Sequence, residues 1–146
     1  MDTENFTQCS FDPAIARQRF QRMNLRTSGK NCISAALYLS GVTKEERYID
    51  TNSVKEVLSY YFISLGEYSL WSVVVPTQAV LLALIQISKP ETYYHLALID
   101  PDDRNRVLHR PFFSTHVRTD TIKNMLKGQG TDPSKDSVLF FANKLP

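Results

Sequence analysis

The sequence has little cysteine, little glycine and a small net charge. Of its 146 residues, two are cysteines, Cys9 and Cys32, and five are glycines. A single disulfide would be a poor framework for a chain long enough to bury its own core, so two reduced thiols are expected. The net charge of +2 gives no support to a nucleic-acid partner or to binding at a membrane surface.

Long apolar runs and targeting segments are also missing. The longest apolar stretch, Val80 to Ile87, is too short to span a bilayer and is interrupted by Gln86. The N-terminal residues MDTENFTQCSFDP are acidic and polar, with neither a basic n-region nor an apolar h-region. We therefore expect a chain that is cytoplasmic as synthesised and has no signal peptide. Export, where it occurs, would use a non-classical or effector-secretion route.

Several kinds of site have no matching motif. Spacings typical of zinc sites, such as C-x-x-C and H-E-x-x-H, do not occur, so neither a metal nor a cofactor is predicted. A Gly-rich phosphate loop and a Gly-x-Ser-x-Gly elbow are missing as well. What remains is an ordinary globular composition, 42% apolar and 22% charged, and a length that fits one domain over residues 1–146.

Helix signals occupy the first part of the chain. Asp12-Pro13, a cap followed by proline, predicts the start of a helix that runs to about Leu25. A second helix is expected over Cys32–Ser40, with Asn31 as its N-cap and Gly41 as its stop. This assignment puts a cysteine in the first turn of a helix.

A third helix is indicated by Ser53 and Glu56, which form a capping-box pattern. The apolar positions that follow recur with the 3.6-residue period of a helix. They are Val54, Val57, Leu58, Tyr61, Phe62 and Leu65.

After Gly66 the pattern changes to short segments rich in Val, Leu, Ile and aromatic residues, separated by turn residues. The predicted strands are Leu70–Val75, Ala79–Ile87, Tyr93–Asp100, Arg106–Arg110 and Ser137–Asn143. Residues 101–105 form a turn between the third and the fourth. A short helix capped by Asp120 should end at Gly128. These elements predict an α+β fold with N-terminal helices packed on a mostly antiparallel sheet.

Cys32 is the candidate nucleophile. In the first turn of a helix its sulfur would lie near unsatisfied backbone N–H groups and the positive end of the helix dipole, which both favour thiolate. The same N–H groups can help to stabilise an oxyanion formed next to the sulfur. The alternative is a buried cysteine in an ordinary core helix, and this feature alone does not separate the two.

Two histidines on neighbouring predicted strands could complete the site. Strand alternation places His95 with Ala97 and Ile99 on one face, and a histidine held at the start of a buried strand suits a general base. His109 ends the next strand, so hairpin pairing would bring it close to His95, where it could orient the imidazole as the third member of a triad. Asp100 competes for this role but should face the opposite side. Partly exposed histidines at strand ends are the alternative.

A group of arginines follows the same strands. A cluster of this kind is usually a solvated rim, although it could hold an anionic group of a substrate. Its members are Arg104, Arg106, Arg110 and Arg118.

These elements, in this order, resemble the NlpC/P60 superfamily, a compact branch of the papain-like fold. GKNCISAALYLSG is similar to the helix that starts with the nucleophilic cysteine, and PTQAVLLALIQIS to the Pro-led strand. HLALID is similar to the strand that opens with the base, and RVLHR to the strand that ends in a third polar residue. The match covers roughly residues 28–110. It implies a cysteine amidase or peptidase with Cys32, His95 and His109 as catalytic residues, and a peptide or peptidoglycan fragment as substrate.

Two further functions stay open. The Asp-Cys-Ser-Gly of the family is replaced here by Asn31-Cys32-Ile33-Ser34, which leaves the amide target undetermined. Amidase effectors delivered by type VI secretion share the family's fold and also lack signal peptides. A translocated effector that cleaves, deamidates or acylates a host or competitor protein is therefore the second hypothesis. The third is a non-enzymatic binding module in which Cys32 belongs to the core.

Overall fold

The computed structural model describes residues 3–7, 10–23, 31–111 and 116–144. Its strands are β1 (Phe62–Ser69), β2 (Leu81–Gln86), β3 (Lys89–Ile99), β4 (Arg106–His109), β5 (Arg118–Thr121) and β6 (Asp136–Asn143). Its α-helices are α1 (Pro13–Met23), α2 (Cys32–Ser40), α3 (Val54–Tyr61) and α4 (Ile122–Gly128). The strands form a six-stranded sheet of order β1-β6-β2-β3-β4-β5 in which all neighbours are antiparallel. The prediction of an α+β fold is confirmed.

The helices cover both faces of the sheet. Leu96 and Leu98 of β3 belong to a core that also contains buried residues of α1, α2 and α3, and we name this side the α2 face. Ala97 and Ile99 belong to a second core that contains Ile122 of α4, and we name this side the α4 face. The alternation of β3 therefore supplies side chains to both cores, because successive residues of a strand point to opposite faces.

The first two helices begin where their capping residues predict. The Asp12 carboxylate accepts a hydrogen bond of 2.9 Å from the backbone N–H of Ala14 at the start of α1. The Asn31 side chain accepts one of 2.8 Å from Ser34 N–H at the start of α2. α2 stops at Gly41, whose φ of 87° is left-handed and suits glycine. Both predicted starts are confirmed; the predicted end of the first helix, near residue 25, lies outside the described residues.

The third helix starts where predicted, with Ser53 as the residue before Val54, but the predicted capping bond and the predicted end of the helix were wrong. Ser53 makes no side-chain capping bond; instead Asp50 caps a short 3-10 helix, Thr51–Ser53, that leads into α3. Phe62, predicted on the helix, begins β1 and pairs with Asn143 of β6. A short apolar run fits a helix or a strand equally well, and the segment from Phe62 is a strand because it pairs with β6.

Three further points of the prediction need correction. Leu70–Val75 is not a strand but a 3-10 helix, Leu70–Ser72, followed by irregular chain. β5 was missed because its sequence, RTDT, is polar and lacks the alternation of a buried strand. The cap of α4 is Thr121, whose hydroxyl accepts a hydrogen bond of 3.0 Å from Asn124 N–H, and not Asp120. The side chain of Asp120 is thereby available for another contact.

Phe140→Ala should destabilise the fold by about 3–5 kcal/mol, since it leaves a cavity in the α4-face core. The Phe140 side chain is fully buried and packs edge-to-face on Tyr68, with 5.4 Å between ring centroids. Chemical denaturation followed by circular dichroism measures the loss. Trp71→Ala is the matched control, because Trp71 is 77% exposed and its removal should leave the unfolding free energy nearly unchanged. Equal losses in the two variants would contradict the two-core packing.

Candidate active site

The sulfur of Cys32 lies against the backbone of β3. Its Sγ is 3.9 Å from the carbonyl oxygen of Tyr94. The backbone N–H of Leu96 also acts on it, as do those of Cys32 itself and of Ile33 at the start of α2. Because Tyr94 and Leu96 flank His95 in the chain, these contacts place the sulfur beside the backbone of that histidine.

The start of α2 meets β3 where the pairing with β4 ends. β4 pairs with β3 at Leu98 and Ile99 and then ends at His109. Within the described part of the chain, no strand extends this pairing to Leu96 and Tyr94. The helix start takes that position. A thiol on its first residue can therefore reach backbone groups that a continued strand would have used.

A register irregularity in β3 adjoins the same point. His95 is opposite Leu84 and Tyr93 is opposite Ile85, so Tyr94 has no partner of its own in β2. This is the arrangement of a β-bulge, one extra residue on one strand. The bulge residue is also the one whose carbonyl oxygen faces the sulfur.

Three side chains on neighbouring strands form a continuous line of hydrogen bonds, which we name the His–His–Asp chain. His95 Nε2 lies 3.0 Å from His109 Nδ1, with the two rings nearly perpendicular. His109 Nε2 lies 2.7 Å from Asp120 Oδ2. Arg118 Nε donates to the same oxygen at 2.9 Å. Both histidines are only 1% exposed, so these bonds are shielded from water.

Cys32 and the His–His–Asp chain approach the edge of β3 from opposite faces of the sheet. Cross-strand partners share a face, and Leu84, the partner of His95, belongs to the core of the α4 face. Cys32 packs against the core of the α2 face. Among the described residues the hydrogen bond of the thiol goes to Tyr94, and none joins it to the His95 ring.

Burial decides the charges of these groups. It raises the pKa of the Cys32 thiol and outweighs the backbone N–H groups and the Arg110 charge, which lower it. Burial, together with the nearby His109, lowers the pKa of His95 to about 3. Burial also lowers the pKa of His109, although Asp120 opposes this. At neutral pH the thiol and both imidazoles are therefore uncharged. The expectation of a thiolate at the helix start was wrong, because it left out the cost of desolvation.

Arg110 anchors the start of α2. Its Nη1 donates to the backbone carbonyl of Asn31, the N-cap residue, at 3.1 Å. The same guanidinium makes a two-pronged ion pair with Glu46, at 2.6 and 3.1 Å. Arg110 is 2% exposed, so this pair is buried. It holds the residue before Cys32 in place, and it brings a positive charge near the sulfur.

The other predicted side chains have separate places. Asp100, the competitor for the third position, accepts a hydrogen bond of 2.8 Å from Asp102 N–H in the hairpin turn. Arg104 donates to the carbonyls of Pro76 and Ala79, at 2.7 and 2.9 Å, and so braces a loop. His109 is thus the residue that contacts His95. Asp120 was missed because its position just before a helix suggested a cap.

Cys32 is a free thiol, and Cys9 lies outside the described residues. The parts of the chain that the structure describes hold no cluster of histidine, cysteine and acidic side chains suited to a metal ion. Over the same ranges, every helix is too short or too polar to cross a membrane.

The chain matches no protein-family model, no curated protein and no solved structure.

The stability of the fold should fall on acidification through the window set by the two histidines. Their pKa values in the folded protein lie below the ordinary 6.5, and that of His95 is about 3. Between these pH values the unfolded chain binds more protons, so the stability is fully present above pH 6.5 and is lost toward pH 3. We expect a loss on the order of a few kcal/mol, measured by denaturation at a series of pH values. His95→Gln should show a shallower dependence, and identical slopes would contradict the assignment.

Proposed function

We propose that the protein is a cysteine hydrolase that cleaves an amide bond, with Cys32 as nucleophile and His95 as general base. The observation that carries the proposal is the position of the Cys32 sulfur, at a helix start and beside the backbone of His95, the residue whose imidazole contacts His109. A nucleophile, a neutral base and a group that orients the base are the parts that thiol-dependent acyl transfer requires. The finer fold assignment, papain-like of the NlpC/P60 type, belongs to this proposal and is supported by the order of these elements.

The reaction would proceed through an acyl-enzyme. The neutral imidazole of His95 takes the thiol proton as the sulfur attacks the substrate carbonyl carbon, forming a C–S bond and an oxyanion. Backbone N–H groups at the start of α2, including that of Cys32, can stabilise the oxyanion. The intermediate then expels the amine, which receives the proton from His95. Water, deprotonated by the same imidazole, hydrolyses the thioester and restores the thiol.

The imidazole and the thiol are both uncharged at neutral pH, which is the state from which the scheme starts. A pKa of about 3 makes His95 a weak base toward a thiol whose pKa is raised, so substrate binding has to bring the two pKa values closer together. The thiol and the ring share no hydrogen bond in the free protein and lie on opposite faces of the sheet. The scheme therefore requires one of the two side chains to move when substrate binds.

For the substrate we propose a peptide amide, with the stem peptides of peptidoglycan as the first class to test. This choice follows from the resemblance of the helix and strand motifs, and the described side chains around the sulfur do not specify it. The same acyl-enzyme could deamidate or acylate a protein, which is the effector version of the proposal. Both versions use Cys32 and His95 in the same roles.

One observation favours a non-enzymatic binding module instead. Burial raises the pKa of the Cys32 thiol, whereas a cysteine poised as a nucleophile more often has a lowered pKa. In this second candidate the thiol packs beside β3 as a small apolar group, and the two histidines with Asp120 form a buried polar network that supports the sheet.

Cys32→Ala should abolish turnover while the protein remains folded, because alanine suits the first turn of a helix. Purified protein would be incubated with muropeptides and, separately, with ubiquitin-like protein substrates, and products would be identified by mass spectrometry. His95→Gln should lower turnover by roughly 10²–10⁴-fold, the usual contribution of a general base. Thermal unfolding of both variants provides the control for folding. Full turnover by Cys32→Ala would refute the hydrolase, and cleavage of muropeptides alone would reject the effector version.

Alkylation of Cys32 separates the hydrolase from the binding module without a substrate. If His95 takes the thiol proton, His95→Gln should slow the reaction with iodoacetamide at neutral pH by about tenfold or more. If the thiol is only a core group, its reactivity follows its own pKa and the substitution changes nothing. The Cys32 peptide would be quantified by mass spectrometry in a Cys9→Ser background, so that the second thiol does not contribute. Equal rates for the two proteins would favour the binding module.

A further inference from the structure

We infer that Asp120 is a positioning residue that fixes the tautomers of both buried histidines, so that the lone pair of His95 lies on Nδ1. The inference rests on the proposed role of His95 as a base. It adds a fourth member to the site and assigns the atom that would receive the thiol proton. Each step follows from which atoms along the His–His–Asp chain can donate and which can only accept.

The first step concerns the carboxylate. Asp120 Oδ2 lies 2.7 Å from His109 Nε2 and 2.9 Å from Arg118 Nε. Burial acts to raise the pKa of Asp120, but the hydrogen bonds from His109 and Arg118 outweigh it, and the pKa is lowered overall. The group is therefore ionised at neutral pH, and an ionised carboxylate can only accept. The proton between the two residues must then belong to His109 Nε2.

The second step derives the tautomer of His95 from that of His109. His109 is neutral, since burial lowers its pKa, so only one of its ring nitrogens carries a proton. With that proton on Nε2, its Nδ1 is an acceptor. The 3.0 Å contact then requires His95 Nε2 to be the donor. His95 is neutral too, and its remaining nitrogen, Nδ1, is left with a free lone pair.

The Asp120 carboxylate determines which atoms donate and which accept along the His–His–Asp chain. Two neutral imidazoles joined by one hydrogen bond can point either way. In the reversed direction His95 Nε2 is the acceptor, its proton sits on Nδ1, and its lone pair faces His109 and cannot accept another proton donor. Asp120 excludes this reversed form, because it would place two acceptors, a bare His109 Nε2 and a carboxylate, 2.7 Å apart in a site shielded from water.

The local fold leaves Asp120 available for this role. Thr121, the next residue, takes over the capping of α4. Asp120 lies opposite Val107 in the pairing of β4 with β5, and Val107 belongs to the core of the α4 face. Its carboxylate therefore emerges on the same face as the two imidazoles.

The tautomers can be measured directly on the intact chain. Protein with ¹⁵N-labelled histidine would be studied at neutral pH by long-range ¹H–¹⁵N correlation spectra, which distinguish a protonated from a bare ring nitrogen. We expect His95 and His109 both to carry their proton on Nε2. A proton on Nδ1 of either residue would overturn the inference. This measurement is made on the wild-type protein and needs no substrate.

Asp120→Asn tests the cause, with Asp100→Asn as the matched control in the hairpin turn. An asparagine amide can donate as well as accept, so it no longer fixes which nitrogen of His109 carries the proton. We expect His95 in Asp120→Asn to show a proton on Nδ1 in part or all of the molecules, and Cys32 alkylation at neutral pH to slow as in His95→Gln. Asp100→Asn should match the wild type in both respects. Wild-type tautomers and alkylation in Asp120→Asn would overturn the role of the carboxylate.

Failure of the proposed function would look different. If Cys32→Ala retains full turnover while the tautomers are as inferred, the hydrolase is refuted and the role of Asp120 in the polar network stands. For a substrate that is turned over, Asp120→Asn should lower kcat by roughly 10²–10⁴-fold and leave KM nearly unchanged, because the base is misprotonated and binding is not affected.

Discussion

β4 pairs with β3 at Leu98 and Ile99, and the candidate site depends on the place beyond Leu98 where this pairing stops. Beyond it, in the described part of the chain, the backbone around His95 meets a helix start and not another strand. Because a helix start lies there, a thiol, several N–H groups and a helix N-terminus come to one point of the sheet. It also lets His109, the last residue of β4, turn its ring toward His95.

The same burial that organises the site also keeps it uncharged. Of the thiol, the two imidazoles and the carboxylate, only the carboxylate is ionised at neutral pH, with Arg118 beside it. The second charged pair, Arg110 with Glu46, holds the helix start and leaves the His–His–Asp chain alone. Each ionised group thus has an oppositely charged partner, as buried charges require. The neutral groups make hydrogen bonds that can rearrange without an ion pair having to break.

Much of the site could be predicted from the sequence. Asn31, Cys32 and Gly41 carry strong local signals, namely a cap, a first-turn position and a left-handed stop, and the hairpin turn after Asp100 placed His109 near His95. What could not be predicted depends on tertiary contacts. The sequence around Phe62 predicts the continuation of a helix, and only its pairing with β6 makes this residue part of a strand. The charge of Cys32 depends on how deeply neighbouring elements bury it. Asp120 carries a local signal for capping, and only the packing of β5 beside β4 gives its carboxylate a histidine.

The bulge at Tyr94 adds a backbone group to β3 without changing the faces of the side chains around it. His95 follows the alternation of Ala97 and Ile99, and its β2 partner Leu84 belongs to the same core of the α4 face. Tyr93 lies opposite Ile85, the next residue of β2, and its ring packs in the core of the α2 face. A chain without Tyr94 would keep both of these placements, since Tyr93 and His95 would then be adjacent residues of a regular strand. What the extra residue contributes is the carbonyl oxygen that faces the Cys32 sulfur.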